Sequence, residues 1–457
     1  MKAFTEPLLS LAGFEEMTKT AEKSSGLISV TGCIDAQKSQ MIYAFGGHRK
    51  NKLIVTFGEQ KAKELYDEYS FFDKEVVYYP SKDVLFYQSD IRGNLLTAER
   101  IRALKAIREQ ESVTLVTTFD ALMNTMAPIE KMWENVLTLE QGQLLDLKEI
   151  QAALIRMGYE KEYQVQTMGQ FSVRGGILDV FPLTEENPIR IELWGDEIDT
   201  IRYFDCESQK SIENTDRVSI YPAAELVLSD EEKAGGIEKL KAEAKRVSDK
   251  LRKQMKTEEA HRVSVMADEL TEEWGELSMY AGMDAFLSYF FDERVGLLDY
   301  FKPSDSLIFF DELTRCTEQG KLTETEFSES MKQRLAMGYI LPGQMNGLFT
   351  EKEIVAKLGK YSCVALAALD NKANGLHQLG SYGIHCQSVS PYNNSFELLI
   401  KDLKRYKKNG YRVILLSGSR TRAKRLSEDI TDQGITCFYT ENYDHELSEG
   451  QIMVCYG

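Results

Sequence analysis

The feature that most limits the fold is an alternation near the start of the chain. Short runs of consecutive apolar residues, at 27–30, 52–57 (KLIVTF), 75–79 (EVVYY) and 113–117 (VTLVT), are separated by turns and helical stretches, with a clear helix over 97–110. A strand that is apolar at successive positions, and not only at every second one, needs cover on both faces. Buried strands separated by helices at this spacing form a parallel sheet with helices on either side. Residues 1–135 therefore predict an α/β domain.

At roughly 100–200 residues per domain, 457 residues predict about three or four domains. The pattern changes over 136–225. A helix at 147–157 precedes FSVRGGILDVFPLTEENPIRIELWGDEIDTIRYFD, whose alternation and turn residues read as an antiparallel α+β insert with at least one hairpin. A charged helical stretch follows at 230–273. DSLIFFDEL at 305–313 then reads as another strand of the parallel sheet, so 226–350 is expected to complete the first domain. A last segment, 351–457, alternates again, with strands expected at 363–369, 412–416 and 452–455, and reads as a small α/β domain without an assigned role. The chain stops directly after the last of these, which is expected to be a boundary within a longer protein. No internal repeat is evident.

Composition excludes several classes of function. The 55 basic and 72 acidic residues leave a net charge of −17, which disfavours tight nucleic-acid binding over the surface as a whole. The seven cysteines are scattered without a C-x-x-C pair, and the five histidines lack ligand spacing; neither a disulfide framework nor a metal site is expected. No run of ~18 uncharged apolar residues exists to span a membrane, and Glu6 and Pro7 interrupt any N-terminal leader. A cytoplasmic protein is expected.

Three local patterns carry chemistry. In Val30-Thr31-Gly32-Cys33-Ile34-Asp35-Ala36-Gln37-Lys38-Ser39, a strand opens into a helix, and Gly32, Lys38 and Ser39 match the phosphate loop G-x-x-x-x-G-K-[ST]. Gln37 replaces the second glycine, which would let the backbone wrap a phosphate, and Asp35 adds a carboxylate where polyphosphate would lie. The second pattern, four apolar residues ending in Asp311 and Glu312, has the form of a magnesium-holding Walker B strand. Together they suggest descent from an NTPase that keeps the shape of a nucleotide site without its activity. The third is Ile189-Arg190-Ile191-Glu192-Leu193-Trp194. Its period of two places the aliphatic residues on one face and Arg190, Glu192 and Trp194 on the other. Arg174 is outward in the same way, and exposed Arg and Trp are the residue types of binding hot spots. Lysine-rich runs at 245–256 and 401–408 lie in helical stretches and read as solvated faces.

GQFSVRGGILDVFP (169–182) with IRIELWGDEIDTIRYFD (189–205) resembles the UvrB-homology module of bacterial transcription-repair coupling factors, and TAERIRALKAI (97–107), YPAAE (221–225) and LLDYF (297–301) agree. UvrB itself shares a version of the central block, but its intact phosphate loop and long aromatic hairpin are not seen here. The resemblance implies a degenerate RecA/helicase-like parallel-sheet domain interrupted by an α+β insert and followed by a second small α/β domain. It implies that the insert binds UvrA through Arg174, Arg190 and Trp194, a position where the family often has Phe. It further implies an adaptor without catalytic residues, metal or cofactor of its own. RNA polymerase, DNA, ATP and magnesium would be engaged by interaction and translocase domains that lie outside this sequence. The alternative from a different class is an active NTPase or helicase lobe using Lys38, Ser39, Asp311 and Glu312; a weaker one is nucleic-acid binding through the lysine-rich helices.

Overall fold

The computed structural model describes residues 1–45, 49–82, 94–276, 283–369, 375–393 and 395–457. The first four strands are β1 (Gly26–Thr31), β2 (Asn51–Thr56), β3 (Val77–Tyr79) and β4 (Thr114–Thr118). The insert adds β5 (Leu137–Glu140), β6 (Glu160–Lys161), β7 (Gln170–Arg174), β8 (Ile177–Val180), β9 (Ile189–Trp194), β10 (Glu197–Phe204), β11 (Ser211–Thr215) and β12 (Arg217–Ile220). After it come β13 (Ser306–Asp311), β14 (Ser362–Ala367) and β15 (Gln378–Gly383), and then β16 (Val413–Ser417), β17 (Phe438–Tyr439) and β18 (Ile452–Tyr456).

Seven strands form one parallel sheet in the order β15-β1-β14-β13-β2-β4-β3. Alternate residues of each strand enter two different cores. Leu53, Val55, Ile308 and Phe310 pack on one face, while Ile54, Leu307, Phe309 and Val364 pack on the other. This double burial is why these strands are apolar at successive positions. The expected α/β architecture, a parallel sheet interrupted by an α+β insert, is what the chain adopts.

One strand falls elsewhere than expected. The run at 363–369 forms β14, but between β1 and β13 in the seven-stranded sheet, and β15 follows it there. The separate small unit is the three-stranded sheet β16-β18-β17 with its helices, which begins near Phe396 and not at 351. A strand buried on both faces reads the same whichever sheet it joins, so local sequence cannot assign it. The charged stretch after the insert folds as two long helices, Asp230–Lys253 and Thr257–Glu276. They pack through Leu240, Ala244 and Val263, in a core shared with Trp274, Phe286 and Phe290.

The insert carries a six-stranded sheet, β11-β10-β9-β8-β7-β6, and β5 pairs separately with β12. Ile189, Ile191, Phe171, Leu178 and Val180 fill its inner face against Leu154 of the helix Leu147–Arg156. A buried ionic joint ties the end of the insert to the first sheet. Arg100, wholly buried, bonds Glu225 through Nε (2.7 Å) and Nη2 (3.1 Å) and the carbonyl of Pro80 through Nη1 (2.6 Å). Lys82 adds bonds to Glu225 (3.0 Å) and to Asp284 (2.7 Å), beside the helical pair. Among the described residues, no helix is long and apolar enough to cross a membrane.

Candidate functional site

The loop after β1 keeps the strand-turn-helix shape of a phosphate loop, and the surrounding chain fills it. Gly32 has φ +80°, and a Cβ there would lie 2.0 Å from the carbonyl oxygen of Ile384. Ile384 also donates its N–H to Thr31 O at 2.9 Å. The first glycine of the pattern is thus required by a crossing segment, whether or not phosphate is bound. The Gln37 side chain turns to the same segment, its Oε1 accepting from the thiol of Cys386. Burial pushes the neighbouring Cys33 thiol up to about 12.

Lys38 is fully buried at the centre. Its ammonium donates to Asp311 (2.5 Å), Asp35 (2.8 Å) and Glu312 (3.0 Å). Burial alone would lower its pKa, but the charge of Asp311 and the hydrogen bonds to the three carboxylates hold it above the ordinary lysine value. Asp35 is shifted the other way, below the carboxylate range, first by its hydrogen bond from Lys38. The second oxygen of Asp311 accepts from Thr56 Oγ1 (2.8 Å), Glu312 accepts from the Ala368 N–H (3.1 Å), and Ser39 donates to Glu68 (3.3 Å). Oxygens of Asp35, Asp311 and Glu312 lie within 4.8 Å of one another, a spacing that suits a divalent cation, yet all three are bonded to Lys38. The structure brings together Lys38, Asp311 and Glu312 as the pattern expected, in an arrangement that already satisfies the lysine's three donors.

The outward face of the insert is the second candidate. Register sets Asp179 of β8 opposite Arg190 of β9. Arg190 grips it with two bonds, Nε to Oδ1 at 2.7 Å and Nη2 to Oδ2 at 2.8 Å. Arg174 adds a third from β7, at 3.1 Å. Asp179 is buried beneath them, and its hydrogen bond raises the Arg190 pKa. Arg190 also donates to Gln209 (2.8 Å), lies over the Phe204 ring (4.3 Å) and is only 12% exposed, against 37% for Arg174. Trp194, four residues along the same face, is 83% exposed, as is Tyr163 near Arg174. Between Arg190 and Trp194, Glu192 is paired with Arg202. An open groove of about 730 Å³ lies beside Trp194, lined by Glu140, Glu197, Asp199, Asp216 and Arg217 among others.

The three expected residues share one face, but only the two arginines converge; Trp194 stands apart, and the described chain does not cover it. Asp179 went unnoticed in the sequence. Its signal is an acid within the apolar strand ILDV, legible only once the hairpin register sets it against an arginine.

Residues 137–226, the insert itself, match the family described as the UvrB interaction domain. The chain is 26% identical over 407 residues to the transcription-repair-coupling factor of Bacillus subtilis, covering 88% of this chain and 34% of that protein. The corresponding protein of Staphylococcus haemolyticus is 26% identical over 440 residues (94% and 36%), and that of Staphylococcus aureus 25% over 457 (97% and 37%). This chain is similar to the transcription-repair-coupling factors over nearly its whole length. It spans about a third of the length of the relatives it matches. The similarity to transcription-repair-coupling factors runs through both candidate sites, the P-loop-like cluster as well as the UvrB-like insert.

Proposed function

We propose that the chain is a non-catalytic adaptor of transcription-coupled nucleotide-excision repair, acting in the cytoplasm, which recruits UvrA through the outer face of its insert. RNA polymerase would be engaged by regions outside this sequence, as would ATP, magnesium and the DNA that a translocase moves. The observation that carries the reading is the cluster of Arg174 and Arg190 on Asp179, with exposed Trp194 on the same face, inside the stretch that matches the UvrB interaction domain. Arg174 retains donors for a partner's carboxylates, where charge-assisted bonds give both affinity and orientation. Trp194 supplies apolar area that binding would bury. The Lys38 cluster is read as structural, since phosphate entering there would meet Asp35 and displace bonds already made.

The test is a titration with purified UvrA. Arg174→Glu and Trp194→Ala should each weaken binding about thirtyfold, near 2 kcal/mol, as expected for truncating an interface anchor. Lys245→Glu, on an exposed helix outside the insert, should change little. Arg190→Glu is the poorer probe of the two arginines, because Arg190 gives buried Asp179 two bonds from a side chain only 12% exposed, whereas Arg174 gives it one from a side chain 37% exposed. Arg190→Lys keeps the charge and loses the two-bond grip, so it should weaken binding less than Arg174→Glu does. UvrA affinity unchanged in both Arg174→Glu and Trp194→Ala would remove this face as the docking site.

A further inference from the structure

The small unit at the end of the described chain is nearly balanced in charge, with ten basic and nine acidic residues over 396–457, but its basic residues are gathered in the first half. Residues 396–425 hold ten lysines and arginines against two acids, in a chain whose net charge is −17. Two helices present them. Phe396–Lys408 and Arg420–Asp432 cover the same face of the three-stranded sheet, because Ile400 and Leu403 of the first and Ala423 and Ile430 of the second share a core with Val413, Leu415, Ile452 and Val454. The sheet's other face, with Ile414, Met453 and Cys455, packs toward Phe4, Phe71 and Phe72. The basic helices are therefore the outer layer of the molecule at this end.

On the first helix Lys401, Lys404 and Lys408 follow a spacing of three and four residues, so they form one exposed stripe. At 1.5 Å per residue the stripe runs about 10 Å, comparable to three phosphate steps along a duplex strand. The second helix begins with Arg420 and Arg422 and has no acid in its first turn, so its dipole and its arginines attract anions to the same end. Arg405 is paired with Asp402 and Arg420 with Glu441. Lys401, Lys404, Lys408, Arg412, Arg422 and Arg425 are exposed and make no ion pair with another described residue.

We propose that this face binds the sugar–phosphate backbone of duplex nucleic acid, without reading its sequence. The alternative of an anionic membrane is disfavoured because Leu398 is the one large apolar side chain strongly exposed on the described parts of the two helices, whereas membrane-surface helices bury a broad apolar stripe. The proposal does not depend on the UvrA reading, which concerns another sheet. With an acidic remainder, affinity should fall in the non-specific range, roughly 10⁻⁴–10⁻⁶ M at physiological salt, and tighten as salt is lowered.

The experiment is fluorescence anisotropy of a short labelled duplex titrated with the whole chain across a salt series. The triple variant Lys401→Glu, Lys404→Glu, Lys408→Glu should lose at least about tenfold in affinity at low salt and reduce the slope of log K against log salt by about 3. The control reverses Lys245, Lys250 and Lys253 on the helix Asp230–Lys253, an equal change in net charge, and should retain affinity within about threefold if position matters. Circular dichroism checks that the helices persist, and Arg422→Ala with Arg425→Ala, a milder change, should lower the slope by about 2. Failure of the parent chain to bind at low salt would overturn the proposal, as would equal losses in the two triple variants. Capture of the chain by phosphatidylserine vesicles, or by an acidic protein, without duplex binding would also overturn it.

Discussion

Lys38 shows how a residue from a nucleotide-binding pattern becomes a structural strut. In a working loop its ammonium meets phosphate and Asp311 holds magnesium; here the two charges hold each other inside the protein. A buried ion pair adds little net stability, yet breaking it leaves an uncompensated charge. Lys38→Ala should therefore destabilise the chain by about 3–5 kcal/mol in urea unfolding, and replacing Lys38 by Met together with Asp311 by Leu should recover much of that loss. The same occupancy predicts that the chain releases no phosphate from ATP and magnesium above background; steady release by well-folded parent chain would show the cluster opening to admit nucleotide. Among the residues singled out from sequence, Lys38, Asp311 and Glu312 were legible as a group because the pattern specifies their chemistry. Asp35 completes the cluster from three residues earlier on the same helix, a pairing that the spacing itself allows; that both groups meet Asp311 and Glu312 depends on β13 arriving beside them.

The element most exposed to acid is the joint between the insert and the first sheet. Burial would raise the Glu225 pKa, but the charges of Arg100 and Lys82 overcome it and hold it at about 2, against an ordinary value of 4.5. A carboxyl depressed on folding contributes stability above its unfolded pKa and loses it as pH falls through the folded one. The urea midpoint should thus fall between about pH 4.5 and pH 2, with the Glu225 share of that fall absent in Glu225→Gln. At neutral pH the same variant leaves Arg100 buried with weaker partners and should cost about 3 kcal/mol. An unchanged pH profile in Glu225→Gln would show that the joint does not couple the insert to the sheet. The insert as an element was readable from its period-two pattern; the joint was not, because Arg100 and Glu225 lie far apart in sequence, and although both fall in stretches that carry the resemblance (97–107 and 221–225), nothing in either stretch pairs them.

At the scale of the molecule, the N-terminal helix Lys2–Leu9 links the two parallel sheets. Phe4 packs edge-on against Phe71 and Phe72 and meets Tyr443, while Ala3 donates its N–H to Tyr443 O at 3.0 Å. Phe4→Ala should cost about 3 kcal/mol locally. Hydrogen exchange should quicken in β16 and β18 while the seven-stranded sheet keeps its protection. Equal quickening in both sheets would mean that the helix belongs to one cooperative core.

By itself the sequence determined the class of the fold, the presence of the insert, and which residues of β9 point outward, because periodicity encodes whether a strand is covered on one face or two. It also determined that a P-loop-like turn would form, since β1 and the following helix carry local signals of their own. Only the tertiary structure decided that β14 joins the first sheet, that Arg190 is half of a buried pair, and that Ile384 crosses over Gly32. Each of these turns on which distant segment arrives as a neighbour. That choice is made by the summed packing of many weakly specific apolar contacts, and no single stretch of sequence contains it.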